Sequence, residues 1–450
     1  MGETNALSEF VVSTTFEDIP REAADHAMEA IQDYVGVALY GSHHEVGDRI
    51  YRYVDRHAPG EESTVFARGT ASTPGAALAN GTFGHAIDYD DTFESIVIHP
   101  TSPVFAAALA AAEYADATTR ELLAGYVVGC EGAFRVGHST YPEHYQNGWH
   151  ATGTVGSFGA AAAAGSMLGL DVGQLRYAFG IVASGSSSLK KNFGSMTKPL
   201  HAGHASEIGV RAALLAREGF TADEAVLEGQ LGYGTVMTVD DGYDPSEITD
   251  ELGESWAVTD IGYKPYPSGV ITHAAMDALR ELVRSHDLTP ESVESITVTL
   301  EEAASEMLIH ANPKNQLQAK FSIEFCLAAI LREGDAGIHE FTDEYVGQPE
   351  TRDAIAKVDR AFEEDLFGDD FAGYGAVVKV RTTDGDVLTA EERFAPGSPN
   401  NPLDESRLRG KFFECVETRM DRSDAETLET AIHSLDDETP VAEFVEQLSP

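Results

Sequence analysis

The chain has 450 residues, a length that suits about two or three domains, and 42% of them are apolar, which allows a substantial core and argues against disorder along the chain. Its 75 acidic residues against 30 Lys and Arg give a formal net charge of -45. That balance argues against nucleic acid and anionic membranes as partners, because both attract a basic surface.

The sequence predicts a cytoplasmic location. The N-terminal residues carry no basic stretch followed by an apolar one, so no secretory signal is predicted. No apolar run reaches the roughly 18 residues of a membrane-spanning helix. Cys130, Cys326 and Cys415 are far apart and match neither a disulfide framework nor a Cys-x-x-Cys metal site, which fits a reducing compartment.

Helices are predicted for most of the first two-thirds of the chain. Apolar residues at helical spacing begin after Pro20, which a first helical turn tolerates, and end at Gly41. Two further helices, over 103–115 and 152–168, consist largely of small residues. Because small side chains let helices approach closely, we expect these two to lie in a tightly packed helical core.

A fourth helix is predicted over 204–218, and 221–224 matches a capping box for another. The pattern changes at 264–269, where two prolines and a glycine mark a boundary. Beyond it we predict a helix, β-branched strands, a hairpin at an Asp-Gly turn, a Pro-rich turn and a final helix begun by a second capping box. The helix covers 273–283, and the strands cover 295–300, 376–382 and 387–391, the last two forming the hairpin. The Pro-rich turn covers 396–402, and the second capping box covers 423–426.

The predicted fold is therefore mainly α, with a large all-helical domain and an inserted smaller α/β domain. The helical domain covers 1–265 and returns at 403–450, and the inserted domain covers 266–402.

Four stretches concentrate Gly, His, Thr and Lys in a way that the rest of the chain does not. They cover 84–92 with His99 after it, 148–154, 196–204, and 264–267 with His273 after it. In so acidic a protein this is an electropositive exception, and it suits an anion with several carboxylates. Lys supplies charge, backbone N–H groups supply donors, Gly permits close approach, and His can carry a proton near neutral pH.

The four stretches, in this order, resemble the MmgE/PrpD family. They read His-Ala-Ile-Asp-Tyr-Asp-Asp-Thr, Gly-Trp-His-Ala-Thr-Gly-Thr, Thr-Lys-Pro-Leu-His-Ala-Gly and Lys-Pro-Tyr-Pro. The stretch 315–325, with Ala-Lys-Phe-Ser, and the turn at 396–402 followed by Lys411-Phe412 also resemble that family. The resemblance runs over nearly the whole chain.

The resemblance implies a fold and a class of chemistry. The family includes 2-methylcitrate dehydratases, cis-aconitate decarboxylases and iminodisuccinate epimerases. It implies an all-helical domain with an α/β lid, usually as a homodimer, and a small di- or tricarboxylate as substrate. It also implies proton abstraction next to a carboxylate without a metal or cofactor.

Candidate catalytic residues follow from the same resemblance. His150 and His273 are the candidates for general base and acid. Lys198 would hold a substrate carboxylate and stabilise the anionic intermediate. His99 would bind the leaving hydroxyl or a second carboxylate.

Four further residues are assigned to substrate binding. Asp88 would orient a histidine or form a wall of the site, because a bare carboxylate repels an anionic substrate. Thr92 would donate a hydrogen bond, His201 would assist Lys198, and Lys264 would add positive charge.

Within the family, the sequence favours dehydration of 2-methylcitrate or a close hydroxy-tricarboxylate. Relatives carry a Tyr in the stretch after Ala-Lys-Phe-Ser, where this chain has Phe325. The missing hydroxyl disfavours the decarboxylase more than the dehydratase or the epimerase.

Two readings of other classes stay open. The acidic residues 88–94, taken as a helical stretch, resemble the Mg²⁺ box of an all-helical isoprenoid synthase, but no clear second acidic motif accompanies them. His201 and His204 could be two ligands of a zinc site, but no third ligand is evident. The Ala-rich helices could instead form a non-enzymatic scaffold, which would leave the His and Lys stretches unexplained.

The scattered acidic residues favour a surface adapted to a salt-rich, halophilic cytoplasm, where screening weakens self-repulsion. We expect the melting temperature to rise when KCl increases from low to molar concentration. A flat or falling curve in a thermal unfolding series would contradict this hypothesis.

Overall fold

A computed structural model describes residues 2–239, 241–368, 371 and 373–449, apart from the side chains of residues 303 and 306. Over these residues the chain is mainly α-helical. None of the described helices combines the length and the apolar character that crossing a membrane requires.

The helices before residue 265 are α1 (Glu3–Ser13), α2 (Arg21–Gly41), α3 (Glu45–His57), α4 (Thr73–Gly84), α5 (Thr101–Tyr114), α6 (Thr119–His138), α7 (Glu143–Gln146), α8 (Ala151–Met167), α9 (Val172–Gly185), α10 (Thr197–Arg217) and α11 (Tyr233–Met237). The later helices are α12 (His273–His286), α13 (Gln316–Ala319), α14 (Ile323–Glu333), α15 (Asp343–Gly347), α16 (Pro349–Ile355), α17 (Glu405–Val416), α18 (Arg422–Ile432) and α19 (Val441–Val445). The strands are β1 (Ser63–Val65), β2 (Gly69–Ala71), β3 (Val293–Glu301), β4 (Val358–Glu363), β5 (Ala376–Thr382) and β6 (Val387–Glu392).

The predicted helices of the first two-thirds are confirmed, with shifted ends. The helix after Pro20 is α2, the Ala-rich helix is α5, and the Gly- and Ala-rich helix is α8. The helix predicted to start at His204 is α10, which begins at Thr197 and so includes part of the third His- and Lys-containing stretch.

Close contact between helices depends on glycine. A Cβ on Gly129 of α6 would lie 2.9 Å from the carbonyl oxygen of Gly159 in α8, and a Cβ on Gly209 of α10 would lie 2.7 Å from the backbone of Ala160. Any side chain at these positions would separate the helices. The expectation that α8 lies in a tightly packed helical core is therefore confirmed, since residues 160–164 are fully buried.

A four-stranded sheet follows in the order β4-β3-β5-β6, with β3 parallel to β4 and antiparallel to β5. The predicted hairpin is present, because β5 and β6 pair and Gly385 between them has a φ of 95°. Helices α12 and α14 pack on the sheet. Buried apolar residues between Tyr266 and Val380 form a core distinct from the large helical core, to which Phe412 of α17 belongs.

Both predicted capping boxes are wrong. Residues 221–224 are not followed by a helix. Helix α18 begins two residues earlier than expected, because the carboxylate of Asp421 caps it by accepting a hydrogen bond from the N–H of Asp424. Thr118 and Asp171 form the capping boxes of α6 and α9 instead. A four-residue match cannot distinguish a cap from a polar loop.

Candidate active site

A cavity is lined by residues of the helical part of the chain and of the segment that carries the sheet. Its polar lining comes from the helical side: Asp88, Thr92, Glu94, His99, Tyr145, His150, Lys198 and Lys264. The opposite wall is mostly apolar and includes Ile271, Met307 and Phe321, with Tyr374 beside them.

Loops and helix starts position the polar lining. The segment between α4 and α5 supplies Asp88, Thr92 and His99, and it consists of turns and short bridges rather than the helix that a magnesium box would require. His150 immediately precedes α8, and Lys198 lies in the first turn of α10. Lys264 lies in the Lys-Pro-Tyr-Pro stretch.

Lysine is concentrated in the interior of this acidic protein. Only nine residues of the chain are Lys, and four of them are buried: Lys198, Lys264, Lys320 and Lys411. Lys411 forms an ion pair with Asp33 at 2.6 Å. Lys198 and Lys264 pair with a different carboxylate, that of Asp88, whose charge also acts on Lys320 without a direct contact.

Asp88 is the centre of this arrangement. Its backbone has a φ of 58°, a left-handed conformation that Asp tolerates better than most residues. One carboxylate oxygen accepts from Lys198 at 2.8 Å, and the other accepts from Lys264 at 2.5 Å. Burial works to raise the pKa of Asp88, but the two ammonium groups outweigh it and hold the pKa well below its usual range. Asp88 is therefore ionised and orients two lysines at the cavity.

His85 was not predicted as a site residue, yet it contacts Lys198. Its Nδ1 lies 2.9 and 3.0 Å from the two oxygens of Asp90, and its Nε2 lies 2.9 Å from Lys198 Nζ. Because Asp90 accepts the Nδ1 proton, Nε2 presents a lone pair and accepts from the ammonium. Ser102 donates to Asp90 at 2.6 Å. The chain Asp90–His85–Lys198 thus gives the Lys198 ammonium a second partner besides Asp88.

His99 presents one ring nitrogen towards the cavity. Its Nδ1 donates to the carbonyl oxygen of Asp91 at 2.9 Å, so in the neutral ring Nε2 carries the lone pair. That Nε2 lies 3.7 Å from Asp88. Burial holds the pKa of His99 well below 6.5, although Asp90 opposes the shift. The ring is neutral near neutral pH and can accept a proton or a hydrogen bond from a bound molecule.

His150 is paired with His201 through their Nδ1 atoms at 2.9 Å. Burial lowers the pKa of both rings, that of His201 to about 3, so both are neutral and one must donate its Nδ1 proton to the other. The shared bond leaves the Nε2 of His150 for the cavity, which His150 lines and His201 does not. His201 therefore orients His150 and does not reach the cavity itself.

His273 does not line the cavity. It begins α12, where its Nε2 donates to the carbonyl oxygen of Ser268 at 3.3 Å and its ring packs on Tyr266. Phe325 also lies outside the cavity: its ring packs against Phe341 and Tyr345 in the core of the sheet-bearing segment. The presence of Phe instead of Tyr at position 325 therefore removes no hydroxyl group from the cavity lining.

A group of four residues has the composition of a metal site. His85, Asp88, Asp90 and His99 can each place a ligand atom within 4.8 Å of the others. However, Asp88 already accepts from two ammonium groups, and His85 bonds Asp90 and Lys198. Two lysines beside the group would repel a divalent cation. His201 and His204 do not converge on a zinc site either, because His204 contacts the Gly185 carbonyl and Glu207.

Comparison with known proteins gives matches over the whole chain. The model of the MmgE/PrpD N-terminal domain matches residues 5–246, and that of the MmgE/PrpD C-terminal domain matches residues 266–437. Cis-aconitate decarboxylase of Mus musculus is 27% identical over 90% of this chain and 85% of its own length. The human protein of that name is 26% identical, covering 90% and 86%, and the Aspergillus terreus protein is 24% identical, covering 100% and 96%.

Proposed function

The chain belongs to the MmgE/PrpD family, and on that basis we propose that it is a lyase that removes CO₂ from cis-aconitate or a closely related unsaturated tricarboxylate. The observation that carries the proposal is the placement of Lys198, Lys264, His99 and His150 on one cavity inside a protein of net charge -45. The similarity to proteins named cis-aconitate decarboxylase supports the choice of substrate.

The chemistry explains why such a cavity is needed. In cis-aconitate, a CH₂–COO⁻ group is attached to a carbon–carbon double bond. When its C–C bond breaks and CO₂ leaves, the electron pair forms a new C=C bond and displaces the old one. Negative charge then develops on the carbon beside another carboxylate, and that carbon takes up one proton to give methylenesuccinate. Fixed positive groups lower the barrier by stabilising this extra charge.

The roles of the residues follow from their positions. Lys198 and Lys264, fixed by Asp88, bind the carboxylates that remain on the substrate. His150 delivers the proton to carbon from Nε2, with His201 fixing its orientation, because an anionic substrate raises the pKa of a neighbouring imidazole. Thr92 donates a hydrogen bond to the second carboxylate, and His99 binds it from Nε2 only after that nitrogen has taken up a proton, which an anionic substrate favours.

Dehydration of 2-methylcitrate is the competing reaction within the family. It also begins beside a carboxylate, and the same lysines would stabilise its intermediate. The sequence favoured it because of Phe325. Since Phe325 packs against Phe341 and Tyr345 and does not line the cavity, that reason no longer separates the two reactions.

We further propose that the segment 266–402 is a domain that acts as a lid on the helical domain. Support comes from the cavity, which has walls from both parts of the chain: Gly269, Met307 and Phe321 on one side, and Lys198 on the other. Opening and closing of such a lid would admit substrate and exclude water. The homodimer and the cytoplasmic location stay predictions.

A product assay tests the proposed reaction. Purified protein in concentrated KCl is incubated separately with cis-aconitate, 2-methylcitrate and iminodisuccinate, products are identified by NMR, and released CO₂ is trapped. We expect one CO₂ and one methylenesuccinate per cis-aconitate consumed, with uptake of one proton. Conversion of 2-methylcitrate alone would assign the chain to the dehydratases instead. No conversion of any of the three would contradict the lyase proposal.

A further inference from the structure

Lys320 is a buried cation to which the mechanism above gives no role. It follows α13 and is 2% exposed, and its carbonyl oxygen accepts from the N–H of Gly269, a cavity residue. The next residue, Phe321, forms part of the cavity wall. Lys320 thus neighbours two residues of the cavity lining but does not itself line the cavity.

The ammonium group of Lys320 lacks a carboxylate, unlike the other buried lysines. Lys198 and Lys264 pair with Asp88, and Lys411 pairs with Asp33. Among the described residues, the hydrogen bond of Lys320 Nζ is a long one, 3.4 Å to the carbonyl oxygen of Ala86, and no carboxylate oxygen lies within 4.0 Å. A buried ammonium with so little compensation is costly, and it is retained only if something else favours its charge.

The charges around Lys320 explain the imbalance. Two carboxylates, Asp88 and Asp90, lie near it, and Lys198 and Lys264 already balance them. His44, whose ring also interacts with Lys320, is neutral because burial lowers its pKa to about 4. Burial, with repulsion from the two lysines, lowers the pKa of Lys320 to about 7. A third positive charge is therefore in excess while the cavity holds no anion.

We propose that Lys320 is a third cation for the polycarboxylate and that it takes up a proton when the substrate binds. This inference rests on the proposed function. A ligand with three carboxylates brings more negative charge than Lys198 and Lys264 can balance, and Lys320, which pairs with no carboxylate among the described residues, can take up a compensating proton in addition to the one that His150 gains. Without a ligand, a neutral Lys320 avoids the cost of an unpaired buried charge. When the ligand binds, Lys320 gains a positive charge that the ligand compensates.

Calorimetry of an unreactive ligand tests the proposal. Tricarballylate has the three carboxylates of cis-aconitate but no double bond, so it cannot be decarboxylated by the same route. Its binding is measured in two buffers of different ionisation enthalpy at about pH 8. We expect the wild type to take up about one proton per ligand more than a variant with a fixed charge at position 320, because a lysine with a pKa about one unit below the solution pH is mostly neutral before binding.

Variants of Lys320 assign the proton. Lys320→Arg keeps a permanent charge, so we expect it to bind without this uptake. Lys320→Met should lose both the uptake and about tenfold in affinity, and Lys379→Met, an exposed lysine in β5, should behave as wild type. Equal uptake in Lys320→Arg and the wild type would assign the proton to a histidine and overturn the proposal.

The wild type alone also provides a test if the variants do not fold. Its affinity for tricarballylate should weaken by up to about tenfold per pH unit above about pH 7.5, since binding then requires a proton. An affinity that does not change with pH, alongside normal turnover, would overturn the role of Lys320 and leave the lyase proposal standing. No binding together with no turnover would overturn both.

Discussion

Replacing Lys198 by Met is expected to reduce kcat/KM on the accepted substrate by about 10³-fold or more, while the protein stays folded. Lys198 is the buried ammonium that touches both Asp88 and His85, and it lines the cavity. Methionine fills a similar volume but cannot stabilise the negative charge that develops when CO₂ leaves. Steady-state kinetics and circular dichroism measure the two effects.

The fold should survive this change because Asp88 keeps its second ammonium. Lys264 still pairs with the Asp88 carboxylate, so no charge is left wholly uncompensated. The matched control is Lys191→Met, an exposed lysine in a 3₁₀ turn just before α10, which should retain wild-type rates. Partial rescue of Lys198→Ala by a small primary amine would identify the missing group as the ammonium. A Lys198→Met protein with more than about a tenth of the wild-type kcat/KM would contradict the assignment.

Much of the candidate site could be predicted because its residue types contradict the rest of the composition. Lys and Gly beside His are unusual in a chain with 75 acidic residues, and the stretches that hold them meet in the fold. Clustering in sequence could not show which side chains reach the cavity. His273 and His201 do not line it: the Nε2 of His273 contacts the Ser268 carbonyl, and the Nδ1 of His201 is paired with that of His150.

The contacts that the sequence did not reveal are long-range or depend on backbone geometry. His85 lies in the first of the four stretches, but its role depends on a turn that brings Asp90 back to it and on Lys198, which is 113 positions away. Lys320 lies in a stretch noted only for its resemblance. Whether its ammonium has a carboxylate partner depends on contacts between residues that are far apart in the sequence.

Secondary structure shows the same division. The helices with a long periodic pattern and the Asp-Gly hairpin were predicted, because local spacing determines them. Strand β4 was missed, since it pairs in parallel with β3 across a connection of several helices and has no local turn to indicate it. The polar motif at 221–224 was misread, because a cap depends on what the chain does after it.

Replacing Asp88 by Asn is expected to lower the free energy of unfolding by about 3–5 kcal/mol, the cost of removing one member of a buried ion pair. Asparagine has the same shape and also tolerates the left-handed backbone at position 88. The substitution therefore removes the charge and leaves Lys198 and Lys264 facing each other without a counter-ion. Urea unfolding measures the loss, and Asp116→Asn, with a φ of 52° on the surface, is the matched control expected to change stability by less than about 0.5 kcal/mol.

The pH and salt dependence of this loss distinguish an electrostatic cause from a packing defect. Asp88 has a folded pKa below its ordinary 3.8, so its contribution is present above that pH and is lost as the pH falls through the folded value. At the alkaline end, the deficit shrinks below pH 10.5, because burial already lowers the pKa of Lys198 and the loss of the opposing Asp88 charge lowers it further in the variant. Molar KCl should stabilise both proteins alike and leave the gap open, since salt screens surface charges far better than buried ones. A gap that is constant from acid to alkaline pH would indicate a packing defect at position 88 and would remove the charge-based account of the site.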